Sequence, residues 1–221
     1  MEEKMRNIDE VIRILKKNYR KFQIPLTTKI SLKRDPYKIL ISCILSLRTK
    51  DSATAIAFNK LFSLAKNPQQ MSKLRVKDIE TAIKPVNYYK TKAKRIKEIS
   101  STLVRKYSSK VPADFEELMK LKGVGRKTAN IVMGFAFKHP EALPVDVHVH
   151  VISNRLGIVK TRTANETEKE LRKTLPKKYW PEYNTLLVAY GQAICRTRNP
   201  KCWECYIINY CSYPKKNLNR K

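Results

Sequence analysis

Apolar residues in this 221-residue chain return at three- and four-residue spacing almost from end to end, a rhythm that leaves little room for a sheet. Ile8, Val11, Ile12 and Leu15 fall at i, i+3, i+4 and i+7. Asp35-Pro36 reads as a cap with a first-turn proline, opening an apolar helix through Leu47. Asp51 starts another, carrying Ala55, Ile56, Leu61 and Leu64 and ending near Asn67-Pro68. A short helix over 77–84 stops at Pro85, and 91–107 gives a long one with Ile96, Ile99 and Leu103 inside. Asp114 with Glu117 forms a capping-box-like start for a short helix to Leu121, and Thr163 with Glu166 does the same for one to about Leu175. A last helix, 182–194, delivers the chain into a cysteine-rich tail. One segment is ambiguous. Val145, Val147, Val149 and Val151 alternate like a strand, yet Asp146 can cap a helix through Leu156, and with no partner strands evident the helix is favoured. The fold class is all-α.

That tail holds Cys195, Cys202, Cys205 and Cys211, spaced C-x6-C-x2-C-x5-C. A compact all-cysteine run is a usual way to hold an iron–sulfur cluster. Zinc competes, although zinc modules more often show two close pairs separated by a longer finger. A disulfide pair is the plain alternative. It is disfavoured by the lack of a signal peptide and by a fifth cysteine, Cys43, in an apolar run.

Charge supplies a partner. Forty-seven Lys and Arg against nineteen Asp and Glu leave +28, a field that attracts polyanions, of which nucleic acid is the commonest. Counterion release makes such binding steeply salt-dependent: six to ten phosphate contacts lose roughly 10³–10⁵ in affinity between 50 and 200 mM salt. The competing reading is a cationic surface that is merely solvated. No apolar stretch approaches the ~20 residues a membrane span needs, and residues 1–20 are too charged for a secretory leader. A cytoplasmic, DNA-associated protein without membrane contact is expected.

The segment LKGVGRKTA, 121–129, lies between two helical patterns. Two glycines around Val124 make a tight hairpin whose amides can approach a phosphate without Cβ interference. Arg126 and Lys127 follow at a helix start, where dipole and neighbouring cation both favour the neutral amine of Lys127, the form that forms Schiff bases. Alone, a phosphate-contacting lysine is the better reading. Asp146, in LPVDVH, alone reads as an N-cap.

Together, hairpin, Lys127, Asp146 and cysteine tail resemble the endonuclease III family of DNA glycosylases, within the helix–hairpin–helix superfamily. The likeness runs from about Pro36 to Cys211. The family's hairpin reads LPGVGRKTA, with Lys122 here replacing the proline; its VDxH signature stands as Val145-Asp146-Val147-His148, and its cysteine spacing is unchanged. The resemblance implies a two-lobed helical fold. A six-helix barrel would span 29–139, with the helix–hairpin–helix at about 114–137, and an iron–sulfur lobe would form from 1–28 and 140–221. It implies a [4Fe–4S] cluster on the four cysteines and, as partner, double-stranded DNA containing damaged bases or abasic sites, bound by a monomer. Lys127 would attack the sugar C1′ and expel a flipped-out base, most naturally an oxidised pyrimidine. Asp146 would activate the amine or stabilise charge on the sugar, and β-elimination would nick the strand.

Further DNA contacts follow from the same likeness. Lys122, Gly123, Gly125 and Arg126 are expected at phosphates, with His148 of the VDxH signature at the DNA. Arg196, Arg198 and Lys201 form a cationic loop. Lys90, Lys92 and Lys94 either flank the duplex or are solvated. Where bacterial members have L-S-A-Q this chain has Leu45-Ser46-Leu47-Arg48, and Tyr88 takes the place of an apolar wedge, so Arg48 and Tyr88 would fill the gap left by the flipped base. Rivals within the superfamily are the adenine- and thymine-mismatch branches, which lack the lysine, and the eight-oxoguanine branch, which generally lacks the cluster. A metal-bearing binding module without catalysis would explain charge and cysteines but has no use for Lys127 with Asp146.

Overall fold

The computed structural model describes residues 2–219, with side chains from residue 8 onward. Regular structure among these residues is helical: twelve α-helices and four short 3₁₀ turns. The chain divides into two compact units, one spanning Leu26–Ala142 and one built from both ends, up to Pro25 and from Leu143 on. The limits read from the sequence were 29 and 139.

The Leu26–Ala142 unit is organised around α3 (Pro36–Ser46), in which Tyr37 and every residue from Ile39 to Leu45 is buried. A helix apolar all round must be enclosed, and α2 (Leu26–Ser31), α4 (Asp51–Leu64), α7 (Tyr89–Lys106) and α9 (Arg126–Phe137) pack against it. Each buried Ile or Leu contributes about 1.5–3 kcal/mol relative to exposure. Asp35 accepts the Lys38 N–H at 3.0 Å and Pro36 fills the first turn, as the sequence indicated. Two short helices went unread. Helix α4 stops at Leu64, short of Asn67, which instead accepts the Gln70 N–H at 2.9 Å and so opens α5 (Pro68–Lys73). In the same way Leu26 opens α2, its N–H donating to the Asp51 carboxylate at 3.1 Å.

Helix α7 rests on α5 and on α6 (Val76–Ala82) through a stripe of Ala93, Ile96, Ile99 and Leu103. It starts at Tyr89, two residues before the expected Thr91, behind a left-handed Tyr88 (φ 57°). Helix α8 (Phe115–Met119) has half of its capping box. Asp114 accepts the Glu117 N–H at 2.8 Å, but the Glu117 carboxylate turns instead to the Tyr107 hydroxyl at 2.7 Å and the Lys120 ammonium at 2.5 Å.

The unit built from the chain ends packs α1 (Glu2–Asn18) and α10 (Val147–Arg155) on α12 (Trp180–Ala193), with α11 (Ala164–Thr174) on α10. Ile8, Val11, Ile12 and Leu15 are all buried, facing a core that includes Trp180, Tyr183 and Tyr190. At α11 Thr163 accepts the Glu166 N–H at 3.2 Å, and the Glu166 carboxylate reaches back past the cap to accept the Arg162 N–H at 2.9 Å. The ambiguous valine run is helical, because Asp146 caps α10 and Val149 is buried while Val147 is exposed. No helix among the described residues is long and apolar enough to cross a membrane.

Candidate active site and cysteine loop

The hairpin between α8 and α9 is fixed from within. Leu121 and Val124 are buried, and the Val124 N–H donates to the Leu121 carbonyl at 2.9 Å. Gly123 adopts φ +84°, a conformation L-residues rarely hold, and the side chain of Arg95 lies across it. A Cβ at position 123 would stand 2.8 Å from Arg95 Cδ and 3.1 Å from its Nε. Gly125, the N-cap of α9, differs. Its φ is −109°, and a Cβ there would meet nothing within 4 Å. No steric conflict asks for glycine at 125, although at an N-cap it serves better than alanine.

Arg126 and Lys127 form the first turn of α9. The Arg126 guanidinium sits over the Phe115 ring, 5.1 Å from its centroid. Lys127 is half-buried, and its charge is felt by the Cys43 thiol of α3; burial pushes that thiol up to about 12, against the opposing pull of Lys127. Lys122 is exposed and pairs with Glu98 of α7 at 3.3 Å. Arg95 is the residue that sequence reading missed here. Among the described residues its guanidinium makes no hydrogen bond or ion pair with another side chain, although it stands beside the hairpin backbone.

Arg48 and Tyr88, forty residues apart, meet at the surface of the same unit. The Arg48 guanidinium is 5.5 Å from the Tyr88 ring centroid, and both residues are left-handed, with φ 54° and 57°. Of the three α7 lysines expected either to flank the duplex or to be solvated, Lys90 and Lys94 are exposed but Lys92 is not: it is 3% exposed. This corrects the expectation. Lys92 lies four residues before Ile96, on the apolar stripe, whereas Lys90 and Lys94 share the opposite face. Its ammonium donates to the Leu45 carbonyl at 2.6 Å, the Leu47 carbonyl at 2.7 Å and the Thr49 hydroxyl at 3.0 Å. Burial, then the charge of Arg95, lowers Lys92 to about 8.

In the other unit the Asp146 carboxylate caps α10, one oxygen accepting the N–H groups of His148 and Val149 at 2.9 Å each. Two amides therefore fix its orientation. The His148 ring lies on α12, where a Cβ at Gly191 would collide with it.

The four tail cysteines are half-buried and none is in a disulfide. Their sulfurs act on one another electrostatically, Cys195 with Cys205 and Cys211, and Cys205 with Cys202 and Cys211. Among the described residues no three His, Cys, Asp or Glu side chains converge as ligands of a single ion, which a cluster with one thiolate per iron does not require. Donors are aimed at the sulfurs: the Tyr190 hydroxyl reaches Cys205 at 3.1 Å and the Arg155 guanidinium reaches Cys195 at 3.3 Å. Burial pushes the Cys195 and Cys205 thiols up, and these donors pull them back toward the thiolates that iron or zinc would need.

Arg155 also grips the loop backbone, donating to the carbonyls of Arg196 at 2.7 Å and Thr197 at 3.0 Å, with Tyr213 stacked 4.7 Å away. Arg196 and Arg198 are thereby held exposed, while Lys201 is half-buried against Glu204 at 3.2 Å. Nothing in the cysteine spacing pointed to Arg155. Its place three residues after buried Ile152 was the available signal.

Residues 41–177 match the model of the HhH-GPD superfamily base excision DNA repair proteins. An endonuclease III of Thermotoga maritima is 51% identical over 179 residues, covering 81% of this chain and 84% of that protein. A solved non-covalent endonuclease III–DNA complex superposes with a TM-score of 0.83 at 31% identity, covering 94% of each chain. A trapped covalent endonuclease III–DNA intermediate gives 0.77 at 34%, covering 83% of this chain and 86% of that one.

Proposed function

This chain belongs to the endonuclease III family of HhH-GPD base excision DNA repair proteins, and on that premise we propose how its own residues carry the reaction. It is a bifunctional DNA glycosylase and abasic-site lyase. The substrate is duplex DNA bearing an oxidised pyrimidine or an abasic site. Flipping the damaged nucleotide out of the stack costs a few kcal/mol, and least where pairing is already damaged.

Lys127 acts as the nucleophile. Its neutral amine bonds to C1′ as the glycosidic bond breaks and the base departs with the electron pair. The sugar ring then opens as C1′–O4′ breaks, the nitrogen's lone pair forming the imine while O4′ takes up a proton; the imine makes a C2′ proton acidic, its removal expels the 3′-phosphate as C3′–O breaks, and water then releases Lys127. Asp146, held as a carboxylate acceptor at the head of α10, takes the amine proton or stabilises positive charge on the sugar. Lys122, Gly123, Gly125 and Arg126 bind phosphate, joined by Arg95. Arg196, Arg198 and Lys201 extend that contact, His148 stays near the DNA as part of the signature, and Arg48 with Tyr88 fills the gap. Cys195, Cys202, Cys205 and Cys211 fit a [4Fe–4S] cluster, which when bound ties the tail into one loop. The protein works as a cytoplasmic, DNA-associated monomer.

The observation that carries this reading is Lys127 on the first turn of α9, directly after a hairpin whose Gly125 has open space around it. Borohydride reduction during reaction with an abasic duplex should trap a protein–DNA adduct that disappears in Lys127→Ala. No adduct with the unaltered protein, or one that survives Lys127→Ala, overturns it. The cluster is checked by iron analysis and absorbance near ~400 nm; a colourless zinc protein removes it.

A further inference from the structure

Lys92 takes no part in the chemistry above, yet among the described residues it is the one buried lysine. Its three N–H donors meet three acceptors, the carbonyls of Leu45 and Leu47 and the hydroxyl of Thr49. The Leu45 carbonyl belongs to the last turn of α3, where helix bonding leaves acceptors unmet and the dipole favours a cation. These acceptors bracket Arg48.

A second strut comes from Asn87. Its backbone N–H donates to the same Thr49 hydroxyl at 3.1 Å, and its side-chain amide donates to the Arg48 carbonyl. Tyr88 follows at once. Both Arg48 and Tyr88 stand in left-handed backbone, which non-glycine residues keep only where the surroundings hold them. What emerges is a cation stacked on an aromatic ring 60% exposed, a flat surface of the kind that takes an unstacked base.

We infer that Lys92 is a positioning residue for opposite-base discrimination: it locks the 47–49 loop to the Asn87–Tyr88 turn, so that Arg48 and Tyr88 meet the orphan base as one stacked unit. The inference rests on the glycosylase reading of the preceding section and adds to it a source of selectivity that touches no DNA.

The test uses Lys92→Met, which keeps the stem and removes the ammonium. Single-turnover excision is measured for one lesion opposite each of the four bases. Borohydride trapping on single-stranded abasic DNA, which has no orphan base, is measured in parallel. The expected result is a spread of excision rates compressed to about twofold across the opposite bases, with trapping on the single strand retained. Arg48→Ala should change the ranking in the unaltered protein and change little in the Lys92→Met background, the non-additivity of residues acting as a unit. Thr49→Val, which removes the acceptor shared by both struts, decides the matter if Lys92→Met does not fold. An unchanged ranking in Lys92→Met and Thr49→Val, or additive effects with Arg48→Ala, overturns the inference. An unaltered protein that neither nicks nor traps abasic DNA overturns the glycosylase reading itself, and the inference with it.

Discussion

The side chain of Arg95 lies across the α-carbon of Gly123, one turn of α7 beyond Lys92 and against the hairpin. Contact this close joins a guanidinium to the amide-rich loop that precedes α9, and makes Arg95 a cation presented together with that loop. Arg95→Gln keeps much of the packing and removes the charge. Its affinity for duplex DNA should fall, and the slope of log K against log salt should lose about 0.9, the release of roughly one counterion. A slope identical to that of the unaltered protein would show that Arg95 only props the hairpin.

Gly123 and Gly125 should respond differently to alanine. Gly123→Ala meets both a left-handed φ and the Arg95 stem, so thermal or urea unfolding should show a loss of about 1 kcal/mol or more. Gly125→Ala meets neither. Its stability should fall only by the poorer N-cap, about 0.5 kcal/mol and less than at Gly123, while DNA affinity falls roughly tenfold as a methyl group keeps phosphate from the amides. Parallel losses of stability at the two sites would refute the distinction.

Asp146 caps α10 and, on the proposed reading, also serves the chemistry; substitution separates the two. Asp146→Asn retains an N-cap acceptor, so stability should be near that of the unaltered protein while base excision falls by orders of magnitude. Asp146→Ala loses the cap as well and should unfold more easily by about 1 kcal/mol. An Asn variant with full excision activity would reduce Asp146 to a helix cap.

Lys92 should leave a signature in stability against pH. Burial and the charge of Arg95 hold it at about 8 in the folded chain, whereas an unfolded lysine titrates near ~10.4. Below about pH 8 both states carry the proton, and the folded one bears the cost of enclosing it. From about pH 8 to 10.4 the unfolded chain binds a proton the folded chain lacks, so stability rises with pH in that window. The unaltered protein should therefore gain on Lys92→Met between pH 7 and 10 in urea titrations. A pH-independent difference would place Lys92 in solvent.

Much of this was readable in the chain. Asp35, Thr163 and Asp146 announce helix starts because a short polar side chain ahead of an apolar rhythm has one good use, and the structure finds all three accepting backbone N–H groups. The half-formed box at Asp114 shows the limit: whether Glu117 closes it depends on Tyr107, brought near by the tertiary fold. Helices α2 and α5 were missed because six residues carry too little periodicity to stand out. Lys92 was misread for its charge, although its register with Ile96, Ile99 and Leu103 had already placed it inside. The Arg48–Tyr88 stack joins two loops that no local pattern relates.

Helix α3, enclosed by four neighbours along almost its whole length, ends in a surface tip of three residues, Leu47, Arg48 and Thr49. The enclosed part tolerates almost no change, since any altered volume is transmitted to every partner at once. Within the tip Leu47 packs on the core and Thr49 holds Lys92 and Asn87, which leaves Arg48 as its exposed side chain. On the proposed reading, a lineage could therefore rewrite its opposite-base preference at that one position while the frame beneath it stayed the same.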